Sequence, residues 1–327
     1  MSNASTLTNR PARPEGNAQA IPRRTVPAGR RFQRAVAPWL LLAPALIVLA
    51  GLLFWPLLRV LDLSLQQYEL RNLLRGDSNY VGFDNYIVAL SDSFLWSTVL
   101  PNTVGFAVVC VIATVGLGTV VALFLNQLST LWRSICTTAI MVAWAMPALT
   151  GTYVFVWLFN PLSGFVASVL DGIGVYEAGS VNWFADRWSF YGIAALNVIY
   201  HGFPFIAVTM LAGLMTVPKE LYEAATVDGA GPWQRFVNVT VPALRPIFAV
   251  CIILSTIWDF KVFTQIYLMP GGDGSNREVM NLGVWSYTES FSQGQYGMGS
   301  TIAVLLTLLL LVISVLYMRV MLKEEEL

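Results

Sequence analysis

Residues 223–246 read EAATVDGAGPWQRFVNVTVPALRP, a polar, helix-forming interruption that starts near Thr216 in an otherwise apolar chain. From Val217 the apolar positions are Val217, Leu221, Ala224 and Ala225, the i, i+4, i+7, i+8 spacing of one helical face. Lys219, Glu220, Glu223 and Asp228 fall on the other face. Pro218 suits a first helical turn, where its missing N–H leaves no gap. Gly229-Ala230-Gly231-Pro232 then breaks the pattern, with a glycine free to take a left-handed cap and a proline placed to start the next helix. Trp233, Phe236, Val237, Thr240 and Val241 repeat the helical spacing, and Pro242 and Pro246 close the segment. Two readings fit a hinged pair of amphipathic helices: a pair resting on lipid headgroups, or a docking element for a protein. Interfacial helices tend to be rich in Lys and Arg on the polar face, whereas this loop balances Lys219, Arg235 and Arg245 against Glu220, Glu223 and Asp228. The balance favours a protein partner.

The surroundings say which solvent the loop interrupts. The 327 residues are 56% hydrophobic and 12% charged, about half the charged fraction of soluble domains. That composition implies an all-α polytopic bundle in a lipid bilayer. A net charge of zero argues against nucleic acid as a partner. Cys110, Cys136 and Cys251 lie in apolar runs and His201 is the single histidine, so no metal or disulfide framework is expected.

Six runs reach the length of a membrane span: 38–58, 99–126, 134–158, 190–215, 247–268 and 299–320. Before them, residues 1–37 hold Arg10, Arg13, Arg23, Arg24, Arg30, Arg31 and Arg34 with one acid, Glu15. This tail is expected to be disordered and to keep the N-terminus in the cytoplasm. A cleaved signal peptide is the competing reading, but Trp39–Leu58 is long enough to span and no small-residue cleavage site follows it. An even number of spans returns the C-terminus, with its short end 323–327, to the same side. The span domain is thus 38–322, its cytoplasmic loop 216–246. Outside the tail, Lys and Arg divide almost evenly between the two sides, so the orientation rests mostly on the tail.

Three segments then lie outside. Residues 59–98 mix Tyr68, Tyr80, Phe83, Tyr86, Phe94 and Trp96 with acids, as an interfacial aromatic belt would. Residues 159–189 suggest short amphipathic helices on the bilayer surface. Residues 269–298 open on Pro270-Gly271-Gly272-Asp273-Gly274, a turn by composition. Asp259 and Lys261 fall within the fifth span, where an ionisable group costs about 2.5–3.5 kcal/mol on insertion scales. At i, i+2 they point to different sides of a helix. Either each is satisfied by another helix or snorkels outward, or Trp258 to Lys261 border a translocation path.

The 223–246 stretch closely resembles the EAA loop of permease subunits in ABC-type, binding-protein-dependent importers. The likeness is to the carbohydrate-uptake branch that includes maltose and glycerol-3-phosphate permeases. Supporting matches are Tyr80-Val81-Gly82-Phe83-Asp84-Asn85-Tyr86, Asn102-Thr103, and Phe260-Lys261-Val262-Phe263 followed by Gly271-Gly272. The likeness runs from about 38 to 320. Two departures are Thr264, where the family has aspartate, and Met269-Pro270-Gly271-Gly272-Asp273 in place of T-x-G-G-P. They bear on the substrate and leave the class intact.

The resemblance implies a type I ABC importer permease fold in a bacterial or archaeal inner membrane. It implies that Glu223, Ala224, Ala225, Asp228 and Gly229 couple this chain to a cytoplasmic ATPase dimer. A second permease subunit in a heterodimer and an extracytoplasmic solute-binding protein are the other implied partners. ATP and Mg²⁺ would be used by the ATPase, this chain binding no cofactor. His201, Gly202, Phe205, Leu254, Trp258 and Lys261 are the residues the family alignment places on the substrate path, for a sugar or, alternatively, a glycerol phosphate. No catalytic residue is expected, since no G-x-x-x-x-G-K-[ST] motif is present. Two alternatives belong to other classes. A proton-coupled secondary transporter using Asp259 and Lys261 would be expected to show inverted repeats and broken helices, and the sequence reveals neither. A membrane glycosyltransferase would need clustered carboxylates at one membrane face, where the acids are scattered.

Overall fold

The computed structural model describes residues 28–175, 177, 179–272, 274 and 276–325 and comprises two units, Met1–Pro56 and Leu57–Leu327. The first unit is helical from Ala28 onward, so a helix begins inside the stretch expected to be disordered. The remainder of that expectation, 1–27, lies outside the described residues. Among the described residues the chain is helical, with two isolated bridges, Gln66 to Tyr80 and Glu69 to Gln295, and no strand.

Five helices are long and apolar enough to cross a bilayer: α1 (Trp39–Ser64), α2 (Leu95–Gln127), α5 (Arg187–Leu214), Arg245–Leu268 and Tyr296–Arg319. The sixth expected span, 134–158, is not one rod. It consists of α3 (Thr130–Trp144) and α4 (Ala148–Leu158), bent by 88°. Pro147, with φ −57° and ψ 135°, supplies the reason. Its ring forbids the helical conformation at Met146, and its missing N–H removes the bond that would bridge the break. The fifth span also stops early: α8 (Arg245–Phe260) ends where Lys261 takes φ −96° and ψ 9°, and a short helix resumes over Thr264–Leu268. Between α5 and α8 lie α6 (Lys219–Val227) and α7 (232–243).

Prolines shape the helices elsewhere too. Wide π-turns occupy Ala50–Phe54, Leu95–Val99 and Phe236–Thr240, and each ends two residues before a proline: Pro56, Pro101 and Pro242. A proline in a helix clashes with the carbonyl four residues back. Those carbonyls belong to Leu52, Ser97 and Asn238, all inside the widened turns, so the π-turn absorbs the clash without breaking the helix.

In lipid, helices gain little from hydrophobic burial against one another and rely on close approach. The α2–α5 seam is built that way. A Cβ on Gly118 would stand 2.6 Å from Ile206 Cβ, and one on Gly202 would stand 2.8 Å from Thr114 Cγ2. Around the seam, one buried cluster gathers Val99, Phe106, Phe190, Ile266, Leu282 and Trp285. A second, toward the 216–246 loop, gathers Leu125, Ile206, Met210, Leu214, Leu244 and Cys251.

The segment 269–298, expected to be an outside turn, is built into the first cluster. Its helix α9 (Leu282–Tyr287) buries Leu282, Val284 and Trp285. The cause is a set of side-chain clips that composition does not reveal. Asn102 Nδ2 donates to the Glu278 and Met280 carbonyls, both at 2.9 Å, and Thr103 Oγ1 accepts the Leu282 N–H at 2.9 Å. Tyr191 donates its hydroxyl to the Val279 carbonyl at 2.9 Å. Asn281, 2% exposed, donates to the Val262 carbonyl at 2.7 Å and caps α9 by accepting the Val284 N–H at 2.8 Å. Asn281→Leu keeps the volume and strands both backbone groups. Each buried unpaired group costs about 1–3 kcal/mol, so the variant is expected to lose about 3 kcal/mol, read as a lower melting temperature of the purified protein.

The 80–86 motif has a similar role at the start of the second unit. Asn85 Nδ2 donates to the carbonyls of Ser64 (3.1 Å) and Gln66 (2.8 Å), and the hydroxyls of Tyr86 and Ser64 lie 2.7 Å apart. Thr301, on the last helix α10 (Tyr296–Glu325), donates to the same Ser64 carbonyl at 3.1 Å.

Candidate coupling and translocation sites

In the 216–246 loop, α6 ends as the spacing predicts. Gly229 has φ +80°, Ala230 N–H bonds the Ala225 carbonyl at 2.9 Å, and Gly229 N–H bonds that of Thr226 at 3.0 Å. This is a Schellman cap, whose left-handed position only glycine takes without strain. Pro232 opens α7, and the Gln234 Oε1 accepts the Gly231 N–H at 2.8 Å. Two cross-ties hold the helices together: the hydroxyls of Tyr222 and Thr240 lie 2.9 Å apart, and Arg235 Nη1 donates to Thr226 Oγ1 at 3.2 Å.

The cross-ties leave one face uncovered. Glu223, Ala224 and Asp228 are exposed, Ala225 is half-buried, and Leu221 is 49% exposed. Val227 and Trp233 stand out at 87% and 73% exposed. Tyr222, Glu223, Thr226, Val227 and Arg235 line a shallow cleft of about 300 Å³. The chain thus braces this hinge from within and presents an apolar, carboxylate-bearing surface that it does not itself cover.

Of the six substrate-path residues, the structure brings two into contact. The rings of Phe205 on α5 and Trp258 on α8 meet edge to face, with centroids 5.2 Å apart at 70°. A third ring, missed in the sequence, completes the group: Trp144, at the end of α3, stacks on Phe205 at 6.1 Å and 26°. The signal was available, since Trp144 stands three residues before Pro147, which bends the span and ends α3 at that ring. His201 is half-buried, one turn before Phe205. Leu254, half-buried, and Lys261, exposed, lie about one turn to either side of Trp258. Gly202 is set against Thr114 in the α2–α5 seam, where its lack of a side chain serves close packing. Asp259 is 8% exposed and its Oδ2 has no hydrogen-bond partner, while Lys261 faces outward. The i, i+2 pair thus diverges as expected.

A bundle of five spans and a sixth broken one, carrying a braced two-helix loop, is the fold of a type I ABC importer permease. A subunit of a bacterial alginate ABC transporter matches with a TM-score of 0.74, covering 89% of this chain and 95% of that one at 18% identity. Residues 114–323 match the model of the family described as binding-protein-dependent transport system inner membrane component. The chain belongs to that family and is a multi-pass, inner-membrane transport subunit. Among its relatives, the diacetylchitobiose uptake system permease DasB of Streptomyces coelicolor is 37% identical across 89% of this chain and 88% of that protein. The sulfoquinovosyl glycerol transport system permease SmoG of Agrobacterium fabrum is 33% identical across 86% and 89%. The trehalose/maltose permease MalF of Thermococcus litoralis is 29% identical across 89% and 95%.

Proposed function

We propose that this chain moves a carbohydrate, an oligosaccharide or similar glycoside, across the inner membrane. An extracytoplasmic binding protein delivers the solute, and an ATPase dimer docked on the 216–246 loop supplies the energy, using ATP and Mg²⁺. A second permease completes the path, and both termini face the cytoplasm. The observation that carries the substrate class is the Trp144–Phe205–Trp258 group. It joins the two spans flanking the coupling loop to the bent third span, beside His201 and Lys261. Aromatic faces stack on the C–H faces of sugars, while the neighbouring polar groups take hydroxyls. The relatives named above for diacetylchitobiose and trehalose/maltose support the same class.

Closing the ATPase pulls on a rigid lever, since the Gly229 cap and both cross-ties prevent α6 and α7 from moving independently. Such a lever transmits rigid-body tilting to α5 and α8, and the three rings sit where those helices meet the break in the third span.

The test is uptake of a panel of radiolabelled oligosaccharides and glycerol phosphates by proteoliposomes holding the whole importer. Trp258→Ala removes one stacking partner, a loss of about 1 kcal/mol or about fivefold in KM, with a smaller change in kcat. Uptake of glycerol phosphates alone, or unchanged kinetics in Trp258→Ala, defeats the carbohydrate assignment. The buried, unpartnered Asp259 carboxyl favours a second reading, proton-coupled transport. Uptake by the purified chain alone under a proton gradient, without any ATPase, decides for it.

A further inference from the structure

Where α2 and α5 splay apart at the end of the bundle away from the coupling loop, they leave a groove of about 470 Å³. Its walls are one face of each helix: Pro101, Gly105 and Val109 on α2, and Trp188, Gly192 and Ala195 on α5. Unlike the seam glycines, Gly105 and Gly192 face open space, and a Cβ on either would meet nothing within 4 Å; their missing side chains keep the groove open. Arg187 stands at its mouth with its guanidinium carbon 5.6 Å from the Trp188 ring centroid. Among the described residues the one ion pair is Arg59 with Asp62, so Arg187 has no counter-charge. The adjacent carboxylate, Asp186, is committed to the helix end, its Oδ2 accepting the N–H groups of Trp188 and Ser189, both at 3.0 Å. The Ser189 N–H holds that carboxyl below the ordinary carboxylate range.

A second observation comes from Asn102, which is 3% exposed and also lines the groove. Its Nδ2 is taken by two carbonyls, which fixes the amide orientation, and its Oδ1 has no hydrogen-bond partner. The seam gives its height. Thr114 meets Gly202 and Gly118 meets Ile206, so residue n of α2 is level with residue n + 88 of α5. Asn102 is therefore level with Phe190, within one turn of Arg187. An unpaired cation and an unpaired acceptor thus share one level, above an apolar trough.

The dimensions fit one leaflet. The 28 residues of α5 extend about 42 Å against a hydrocarbon core of about 30 Å, which lifts Arg187 to headgroup height. The trough from Pro101 to Val109 runs about 12 Å, most of the roughly 15 Å depth of a single leaflet.

We propose that this groove holds one glycerophospholipid. Its phosphate sits on Arg187, its headgroup N–H or O–H donor on Asn102 Oδ1, and one acyl chain lies between Gly105 and Gly192. A lipid there keeps the splayed outer ends of α2 and α5 wedged apart, beneath the segment that Asn102 clips.

Native mass spectrometry of the full-length protein, exchanged from mild detergent into phosphatidylethanolamine or phosphatidylcholine, tests this. One retained phosphatidylethanolamine per chain is expected, with phosphatidylcholine, which lacks a headgroup donor, retained about fivefold less. Gly192→Leu, which fills open space, and Arg187→Gln are each expected to lower retention at least about fivefold at an unchanged melting temperature. Equal retention in both variants, equal retention of the two lipids, or bound detergent only overturns the proposal. So does cross-linking that places the second permease subunit over Gly105.

Discussion

Val227→Asp is expected to cut sugar-stimulated ATP hydrolysis by the assembled importer at least about tenfold while leaving this chain folded. Val227 closes α6, is 87% exposed and borders the Tyr222–Glu223–Arg235 cleft. The bracing of the loop runs through Tyr222, Thr226, Arg235 and Thr240, so nothing inside the chain depends on the valine. A docked ATPase would bury it. An unpaired carboxylate there costs about 2 kcal/mol or more, enough for a tenfold or greater loss of association. A new negative charge in the last turn also opposes the helix dipole, a smaller effect of about 0.3–1 kcal/mol. Val227→Lys separates the two: it suits the dipole yet introduces the same buried charge, and it is expected to lose coupling equally. Pull-down of the ATPase with each variant is the direct measurement. Wild-type coupling in both variants would mean that the exposed end of α6 is not where the ATPase binds.

Gly297→Ala is expected to be the most damaging single methyl addition on the outer side, costing about 3 kcal/mol or preventing folding. A Cβ on Gly297 would be driven onto the Gln66 carbonyl oxygen and to 3.0 Å from Tyr68 N. Both are backbone atoms, fixed by Asn85 on Gln66 and by the Gly297 N–H to the Tyr68 carbonyl at 2.9 Å, so neither can rotate away. Overpacking of this kind typically costs 1–3 kcal/mol even where side chains yield. Gly213→Ala is the control. Its Cβ meets the flexible tips of Ile247 and Leu244, and a much smaller loss is expected. Melting temperatures of the two variants in one detergent give the comparison; a loss in Gly213→Ala equal to that in Gly297→Ala would remove the backbone argument.

The coupling loop was legible because glycine and proline act locally. The helix period on either side of Gly229, and Pro232 after it, require no knowledge of tertiary contacts, and the Schellman cap follows from them. The third span was only half legible. Hydropathy over 134–158 is continuous, and it does not register the 88° turn that Pro147 imposes. Trp144 was missed for that reason, as its importance depends on the direction in which the bend carries it. The segment 269–298 was misread because its opening Pro-Gly-Gly run is a turn by composition. What pulls Leu282, Val284 and Trp285 inward is hydrogen bonding from Asn102, Thr103 and Asn281, and two of those three lie far away in the chain. The Asn-Thr pair was recognisable as a pattern, yet its reason exists only in three dimensions. Gly202 was expected on the path, and its packing against Thr114 depends on a helix crossing that spacing alone does not specify.

That distant clip also sets a clock on biogenesis. Asn102 bonds to a carbonyl 178 residues further along. At synthesis rates of about 5–20 residues per second, the second span waits roughly 9–36 s between its own emergence and that of its partner. Throughout that interval an amide sits at the membrane boundary without its final acceptors, a costly condition in lipid. A nascent chain halted before Met280 would carry a polar, unclosed surface on α2, the kind of mark by which membrane quality control tells an unfinished chain from a finished one.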